Sequence, residues 1–502
     1  MQLSGKISED IEIVAALTDE NTPIQPEGNT ERLEELDKVF IQMKHPNVVG
    51  TFGDYQLTQR SGEFGVIDRK LQGLMGEFNY GDVSGYLSIA NSRGKFNSNS
   101  LIGLDGTQGP YRLGGINNER DIIIIAGTEK VFLDGIEMKR GENNDYTIEY
   151  SNATITFTPN RLITSASRIN VDFEYTDRQF ARSFFGSGTS AKFFNDKLKV
   201  KFQYLREGDD QDAPIDISLS DDDKNILAQA GDDRNKAVKS GVKLAEPDSL
   251  GQIKGIYTKV DTTINSVAFT YYVYNPGDSL SLYTVSFSYV GEGKGDYNRQ
   301  SLGYYNFVGI GSGNYLPIIY LPTPQLKQIG NISIDVNPFE NVILSLEYAG
   351  SLWDKNRMSA IDEGDNYGYA RNISLKVLPT QILLGDLNFG KAGFSYRDRF
   401  VQGKFTSLDR FDDIEFNRNY NSANQTKIND ESLREIGVSL QPIQEFTINS
   451  TSGFLRKGND FSSDRFNNLI RFTDTKDFNF EYNLDYVKSK TAFLKSNWLR
   501  HK

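Results

Sequence analysis

The chain has no cysteine and only two histidines. Without thiols there is no disulfide framework and no thiolate metal site. His45 precedes Pro46 in a turn-like stretch and His501 is the penultimate residue, so the two do not supply a triad base or a zinc site together. Long apolar runs are also missing. The longest, Ile122 to Ala126, falls far short of the roughly 18–20 residues a spanning helix needs, which excludes a helical membrane protein. A net charge of -12, with no long Lys/Arg cluster, argues against a nucleic-acid partner, because neutralising phosphates takes a basic face.

What is present is an unusual mixture: 45 Gly, 26 Tyr and 32 Phe in 502 residues, at a mean hydropathy of -0.49. Abundant aromatics in a polar chain suit a transmembrane barrel, where one face of each strand meets lipid and the other meets water, so the averages cancel. The length exceeds one ordinary soluble core and implies several domains or one very large sheet.

Period-two alternation is the main local signal. Phe478, Phe480, Tyr482, Leu484 and Tyr486 interleave with Asn479, Glu481, Asn483 and Asp485, which puts every apolar side chain on one face of a strand. Ile169 to Tyr175 and Tyr283 to Tyr289 repeat the pattern. The alternation predicts an all-β fold, an antiparallel outer-membrane-type β-barrel with Asn479, Glu481, Asn483 and Asp485 facing its lumen.

Strands come in pairs joined by short Pro- or Asn-containing segments, namely Phe194 to Lys197, Val336 to Asn341, Leu378 to Gln381 and Leu440 to Ile443, residue types that favour reversal. Long Asp/Asn/Arg-rich stretches such as Trp353 to Asn366 and Arg399 to Glu431 separate the pairs. Short turns at one end and long loops at the other describe an outer-membrane meander.

The chain divides into three expected regions. Residues 1–100 hold barrel strands and a polar excursion with a helical turn at Thr30 to Asp37, N-capped by Thr30. Residues 101–177 form a compact, small β-sandwich-like module, a plug or cap, whose continuous apolar runs imply burial on both sides. Residues 178–502 carry the paired barrel strands and long loops, with the acidic stretch Asp209 to Asp233 as a solvated loop. Met1 to Gly5 lacks a basic segment followed by an apolar one, and Trp498 to Lys502 is not a terminal aromatic strand, so the expectation is an incomplete barrel from a longer protein.

Chemistry-bearing motifs are few. Gly291 to Gly295 lacks the phosphate-loop ending and reads as a hairpin loop. Asp221 to Asp223, and Asp362, Asp365 and Asn366, offer oxygen ligands, and the latter three make a candidate calcium loop without matching the EF-hand spacing; structural calcium is the one metal entertained, and no other cofactor is expected. Tyr304, Tyr305, Tyr315, Tyr320, Trp353, Tyr367 and Tyr369 suit either sugar stacking or, preferably, interfacial aromatic girdles.

Val131 to Gly135, Lys139 to Gly141, Asp145 to Tyr150, Ile155 to Phe157 and Arg168 to Phe173 together resemble a β module of very large bacterial surface proteins. They are similar to a recurring element of the type IX secretion translocon, the SprA/Sov family, as are Leu3 to Ile13, Gly53-Asp54, Phe64-Gly65 and Leu71 to Gly73. The resemblance covers about the first third of the chain and implies a surface location, with other secretion or surface-assembly proteins as partners.

The expectation is therefore a non-enzymatic protein of the bacterial outer membrane, in contact with its lipid, acting as a conduit or as a surface-assembly or secretion component. The alternative is a soluble extracellular adhesin or glycan-binding protein built of β-sandwiches, whose apolar faces would meet each other. A secreted polysaccharide-active enzyme is the third reading, with no carboxylate pair singled out.

Overall fold

In a computed structural model the described residues are 2–17, 28, 39–117, 119–120, 122–176, 179–247, 249, 251–264, 267–300, 303–385, 387–422, 428–473 and 478–501. The expected helical turn at Thr30 to Asp37 lies outside them. The chain splits into two compact units: one of residues 1–215, 326–353 and 364–502, the other of residues 216–325 and 354–363.

The first unit is organised by one 17-stranded sheet. Its strands are β1 (Gln2–Lys6), β2 (Glu12–Leu17), β3 (Val39–His45), β4 (Val48–Ser61), β5 (Gly65–Tyr80) and β6 (Val83–Ser92). Then follow β7 (Phe180–Phe193), β8 (Leu198–Pro214), β9 (Leu326–Phe339), β10 (Val342–Asp354), β11 (Tyr367–Leu384) and β12 (Leu387–Val401). The last are β13 (Glu431–Ile443), β14 (Phe446–Lys457), β15 (Phe461–Thr473), β16 (Asn479–Thr491) and β17 (Lys495–His501). Each pairs antiparallel with the next in chain order. Among the described residues no ladder joins β1 to β17, so the expected barrel is present as a continuous meander whose closing pair is not formed by these residues.

The long connections all follow even-numbered strands, which also carry three short ones, 62–64, 458–460 and 492–494. Those after odd-numbered strands span two to five residues, 46–47, 81–82, 340–341 and 444–445 among them. Those after even-numbered strands include 18–38, 93–179, 215–325, 355–366 and 402–430. In an up-and-down meander these two sets lie at opposite ends, here the turn end and the loop end. Two expected turns are corrected. Leu378 to Gln381 lies inside β11 and Leu440 to Ile443 at the end of β13, each at a register shift in the ladder. Pro379 and Pro442 have no N–H to donate, and a bulge is where a strand accommodates that loss.

The hairpin β4–β5 outgrows its neighbours. β3 pairs with β4 only up to Gly53, and β6 pairs with β5 only from Leu71 onward, so residues 54–70 have ladder partners only across their own hairpin. Gly53 and Gly73 face each other where this arm departs. Gly53 has a φ of 106°, and a Cβ there would lie 2.0 Å from the Val39 carbonyl oxygen, a conformation and an approach that glycine permits.

Between β6 and β7 the chain forms the small module. Lys130–Leu133, Arg168–Thr176 and Lys95–Ile102 make one sheet, and Tyr146–Glu149, Thr154–Phe157 and Tyr111–Arg112 another. It begins at Lys95, earlier than expected, and the Ile122 to Ala126 run contributes only the two-residue strand Ile123–Ile124. Its core holds Val131, Ile155, Ile163, Ile169, Val171 and Phe173, all fully buried.

The second unit takes residues 216–325, which the sequence presents as barrel strands and loops, out of the large sheet. The expected solvated loop Asp209 to Asp233 is instead the end of β8 followed by α1 (Asp221–Ala230). Ser220 accepts from the Asp223 N–H in a capping box, and Asp221, Asp222 and Asp223 fill the first turn, where the helix dipole favours negative charge. Leu227 and Ala230 pack on Ala237 and Leu321. Short sheets complete the unit.

Candidate functional site

The two faces of the large sheet differ in kind. Along β8, Phe202 is exposed while Gln203, Leu205 and Glu207 are buried. Along β16, Phe480 and Tyr486 are exposed while Asp485, Val487 and Ser489 are buried. Cross-strand registers make this one continuous surface: Ile41, Phe52, Leu74 and Ile89 lie opposite one another in turn, as do Phe466, Tyr486 and Leu499. All seven are exposed large apolar side chains. One face is thus a bare apolar band; the other is covered.

Three segments cover it: the hairpin arm, the module and the loop 402–430. They are pinned by two buried arginines. Arg69, on the arm, is 2% exposed and lies 2.8 Å from Asp409 of the loop, 3.4 Å from Glu174 of the module and 3.7 Å from Glu207 of β8. It also donates to the Leu408 carbonyl at 3.2 Å. Arg399, on β12, is 1% exposed and pairs with Glu63 at the arm's tip at 2.6 Å, and with Asp412 of the loop and Glu431 of β13. Phe64, Phe411 and Phe416 surround its guanidinium. Arginine suits both places because its planar fork meets several carboxylates at once.

Around Arg69 the carboxylates outnumber the guanidinium, and burial outweighs its attraction. Desolvation pushes the Glu174 carboxyl up to about 7 and that of Asp409 up to about 6, with Arg69 opposing in both cases. In the loop near Arg399, burial likewise raises Asp412.

The arm's tip is seated by a carboxylate. Glu347 of β10 accepts from the backbone N–H groups of Glu63 and Phe64 at 2.7 and 2.9 Å, and from the Asn331 side chain at 2.6 Å. Gly62 turns beneath it with a φ of 74°, and a Cβ there would lie 2.3 Å from that carboxylate. Module and loop are tied as well: Arg410 donates to Asp172 at 2.7 to 3.0 Å and also to Ser98, and Lys130 meets Asp68 of the arm at 2.5 Å.

Toward the turn end the covered face opens into polar cavities. One of about 480 Å³ is lined by Arg60, Lys199, Lys201, Glu77, Ser84 and Ser190, with other residues of β4 to β8. A second of about 420 Å³ adjoins the arm's tip and is lined by Arg60, Glu63, Lys201, Asp335, Glu347 and Arg397, among others. The second cavity reaches Arg399 and Asp412, and a smaller one of about 130 Å³ lies among Asp68, Lys130, Asp172, Glu174 and Asp409.

The expected lumen residues Asn479, Glu481, Asn483 and Asp485 share the covered side of β16. Asn479 and Glu481 are exposed at the turn end, and Glu481 pairs with Arg471 at 2.9 Å. Asn483 accepts from Asn467 at 2.8 Å. Asp485 is buried and holds Arg465 and Arg500 at 2.8 and 2.9 Å.

The expected calcium loop straddles the boundary between the two units. Asp362 has a φ of 67° and belongs to the second unit, whereas Asp365 and Asn366 belong to the first. The Asn366 carbonyl accepts from the Trp353 N–H at 2.8 Å. Among the described residues no three His, Cys, Asp or Glu side chains gather in metal-binding geometry.

The aromatic girdle needs correction in part. Tyr304, Tyr305, Tyr315 and Tyr320 lie in the second unit. Tyr304 stacks on Tyr274 at 4.4 Å, Tyr305 on Phe287 at 4.4 Å and edge-on to Tyr315 at 5.0 Å, while Tyr320 lies under Arg234. Tyr367 and Tyr369 do stand on the bare face, where Tyr369 stacks on Tyr348 at 6.0 Å. Trp353 packs instead against Lys327. The residues that the sequence reading missed are Arg69, Arg399, Glu63 and Glu347, whose partners are up to hundreds of positions away.

Residues 96–177, nearly coincident with the module, match a family model described as a domain of unknown function (DUF8818). No curated protein sequence matches the chain. Among solved structures the chain is similar to OpdQ of Pseudomonas aeruginosa, with a TM-score of 0.34 and 7% identity over 100% of this chain and 90% of that one. It is also similar to the ferric-catecholate import receptor Fiu of E. coli K12 in its open form, with a TM-score of 0.25 and 9% identity over 97% of this chain and 62% of that one.

Proposed function

We propose that this chain is a non-enzymatic outer-membrane β-barrel protein, a conduit closed at its loop end, that serves transport, secretion or surface assembly. The observation that carries this reading is the split between faces. A sheet that leaves a continuous band of Phe, Leu, Ile and Tyr bare exposes far more apolar surface than water tolerates, while the opposite face carries the carboxylates, guanidiniums and water-filled space of a lumen. In lipid only a structure that satisfies its own backbone can span, and the antiparallel ladders do so for every strand of the meander except at the outer edges of β1 and β17. On β8 the band runs from Leu198 to Tyr204, about 20 Å at roughly 3.4 Å per residue, and Arg206 follows it on the same face.

In this reading the module is a plug. It enters from the loop end together with the arm and the loop 402–430, and the Arg69 and Arg399 clusters fasten all three to the wall. The β-sandwich alternative is disfavoured because the apolar face of the large sheet packs against no second sheet among the described residues.

Planar-bilayer recording tests the reading. The wild-type chain inserts from detergent and shows low conductance, whereas Glu347→Gln together with Arg399→Gln, which release the arm's tip, raises it severalfold. A chain that stays monomeric in aqueous buffer without detergent and never inserts contradicts the proposal.

A further inference from the structure

We infer that the 480 Å³ cavity at the turn end of the covered face is a binding site for a small hydroxylated anion, a carboxylate- or phosphate-bearing solute the size of a sugar acid. The inference deepens the conduit reading by naming what it admits, although the site's chemistry stands without a membrane.

Lys199 and Lys201 project from the same face of β8, two residues apart, and Arg60 reaches the same cavity from the arm. Among the described residues neither lysine ammonium forms an ion pair or hydrogen bond, whereas the arginines of the loop-end clusters are held by two or three carboxylates each. Arg60 donates only to the Gly62 carbonyl, at 3.3 Å. Opposing charge comes from Glu77, which lines the cavity, and from Asp335, which lies across the ladder from Lys199 and accepts from Ser345 at 2.6 Å. It also comes from Glu63 and Glu347 of the adjoining cavity that Arg60 and Lys201 also line, where Glu63 is held by Arg397 and Arg399 and Glu347 by the arm's backbone. Two cations therefore stand over solvent with their charge available, an arrangement that draws anions into a confined polar space.

The lining is otherwise polar, and two of its residues are packed into the wall. Ser61 is 7% exposed and its hydroxyl has no hydrogen-bond partner. Gln203 is 2% exposed; its amide donates to the Tyr86 hydroxyl at 2.8 Å while its Oε1 is unpartnered. Ser84, Thr189 and Ser190 also line the cavity, and their hydroxyls suit a ligand that both accepts and donates. The volume lies in the range of small-molecule sites.

Calorimetric titration of the full chain in detergent tests this, with glucuronate and inorganic phosphate as probes and glucose as the uncharged reference. The expected result is binding of glucuronate at least tenfold tighter than glucose, with phosphate intermediate. Lys199→Gln with Lys201→Gln should weaken glucuronate at least tenfold at unchanged Tm, and Lys201→Arg should retain it. Glucose bound as tightly as glucuronate, a folded double variant that binds like the wild type, or no binding of either anion would overturn the inference. Because the readout needs no bilayer, its failure is distinguishable from failure of the conduit reading, which conductance reports.

Discussion

The two ends of the covered face handle charge in opposite ways. At the loop end, guanidiniums and carboxylates are buried together and fasten arm, module and loop to the wall; at the turn end, Lys199 and Lys201 face an open cavity. Removing charges from water is costly and is repaid only when every partner is in place, so the loop end fixes one arrangement of its three segments. Exposed cations carry little of that cost and add little stability, which leaves them to act on whatever enters. The contrast teaches where to look for fastening and where for recognition.

The largest expected effect comes from breaking a fastening. Arg399→Met leaves Glu63, Asp412 and Glu431 buried around an apolar side chain and should cost about 3–5 kcal/mol, measured by denaturant unfolding in detergent. Lys201→Met at the other end should leave stability within about 0.5 kcal/mol; equal losses at both sites would erase the comparison. Next in size is Phe202→Arg, a charge placed at mid-strand on the bare face, at about 2–4 kcal/mol in lipid vesicles.

The third prediction concerns pH. The Glu174 and Asp409 carboxyls are raised above their ordinary values of 4.5 and 3.8. They therefore bind protons more tightly in the docked state than in the unfolded chain, and the stability this contributes is full below about 4 and lost as pH rises through the window of about 6 to 7. Hydrogen exchange in the strand Arg168–Thr176 should be slower at pH 5 than at pH 8, after correction for intrinsic rates, and Glu174→Gln should flatten the difference. Smallest is Phe480→Arg, at about 0–1 kcal/mol, because Phe480 is the second residue of β16 from the turn end, where a charge reaches the interface.

Much of the sheet was legible in the sequence because alternation with a period of two reports directly which side chains share a face. Phe480 and Tyr486 against Asp485 is such a case; the strand Arg168–Thr176 alternates in the same way, yet its polar face of Asn170, Asp172 and Glu174 is buried as well. The arm was not legible. The departure of residues 54–70 is decided by ladder partners that end at Gly53 and begin at Leu71, which no local pattern reports. The helix α1 was missed because three aspartates in succession read as solvated sequence, although at a helix N-terminus they are favourable. Arg69 and Arg399 could not be singled out locally, since each is defined by carboxylates from segments far apart in the chain. Pro379 and Pro442 misled for a physical reason: proline marks turns and bulges alike.

The account rests on the bare face meeting hydrocarbon, and neighbouring residues of β15 report on it. With Trp353 and Trp498 replaced by Phe, single tryptophans at Phe466 and at Asn467 are compared in vesicles containing acyl-brominated lipid. The account predicts strong quenching at position 466 and little at 467; equal quenching at both, or the reverse, would contradict it.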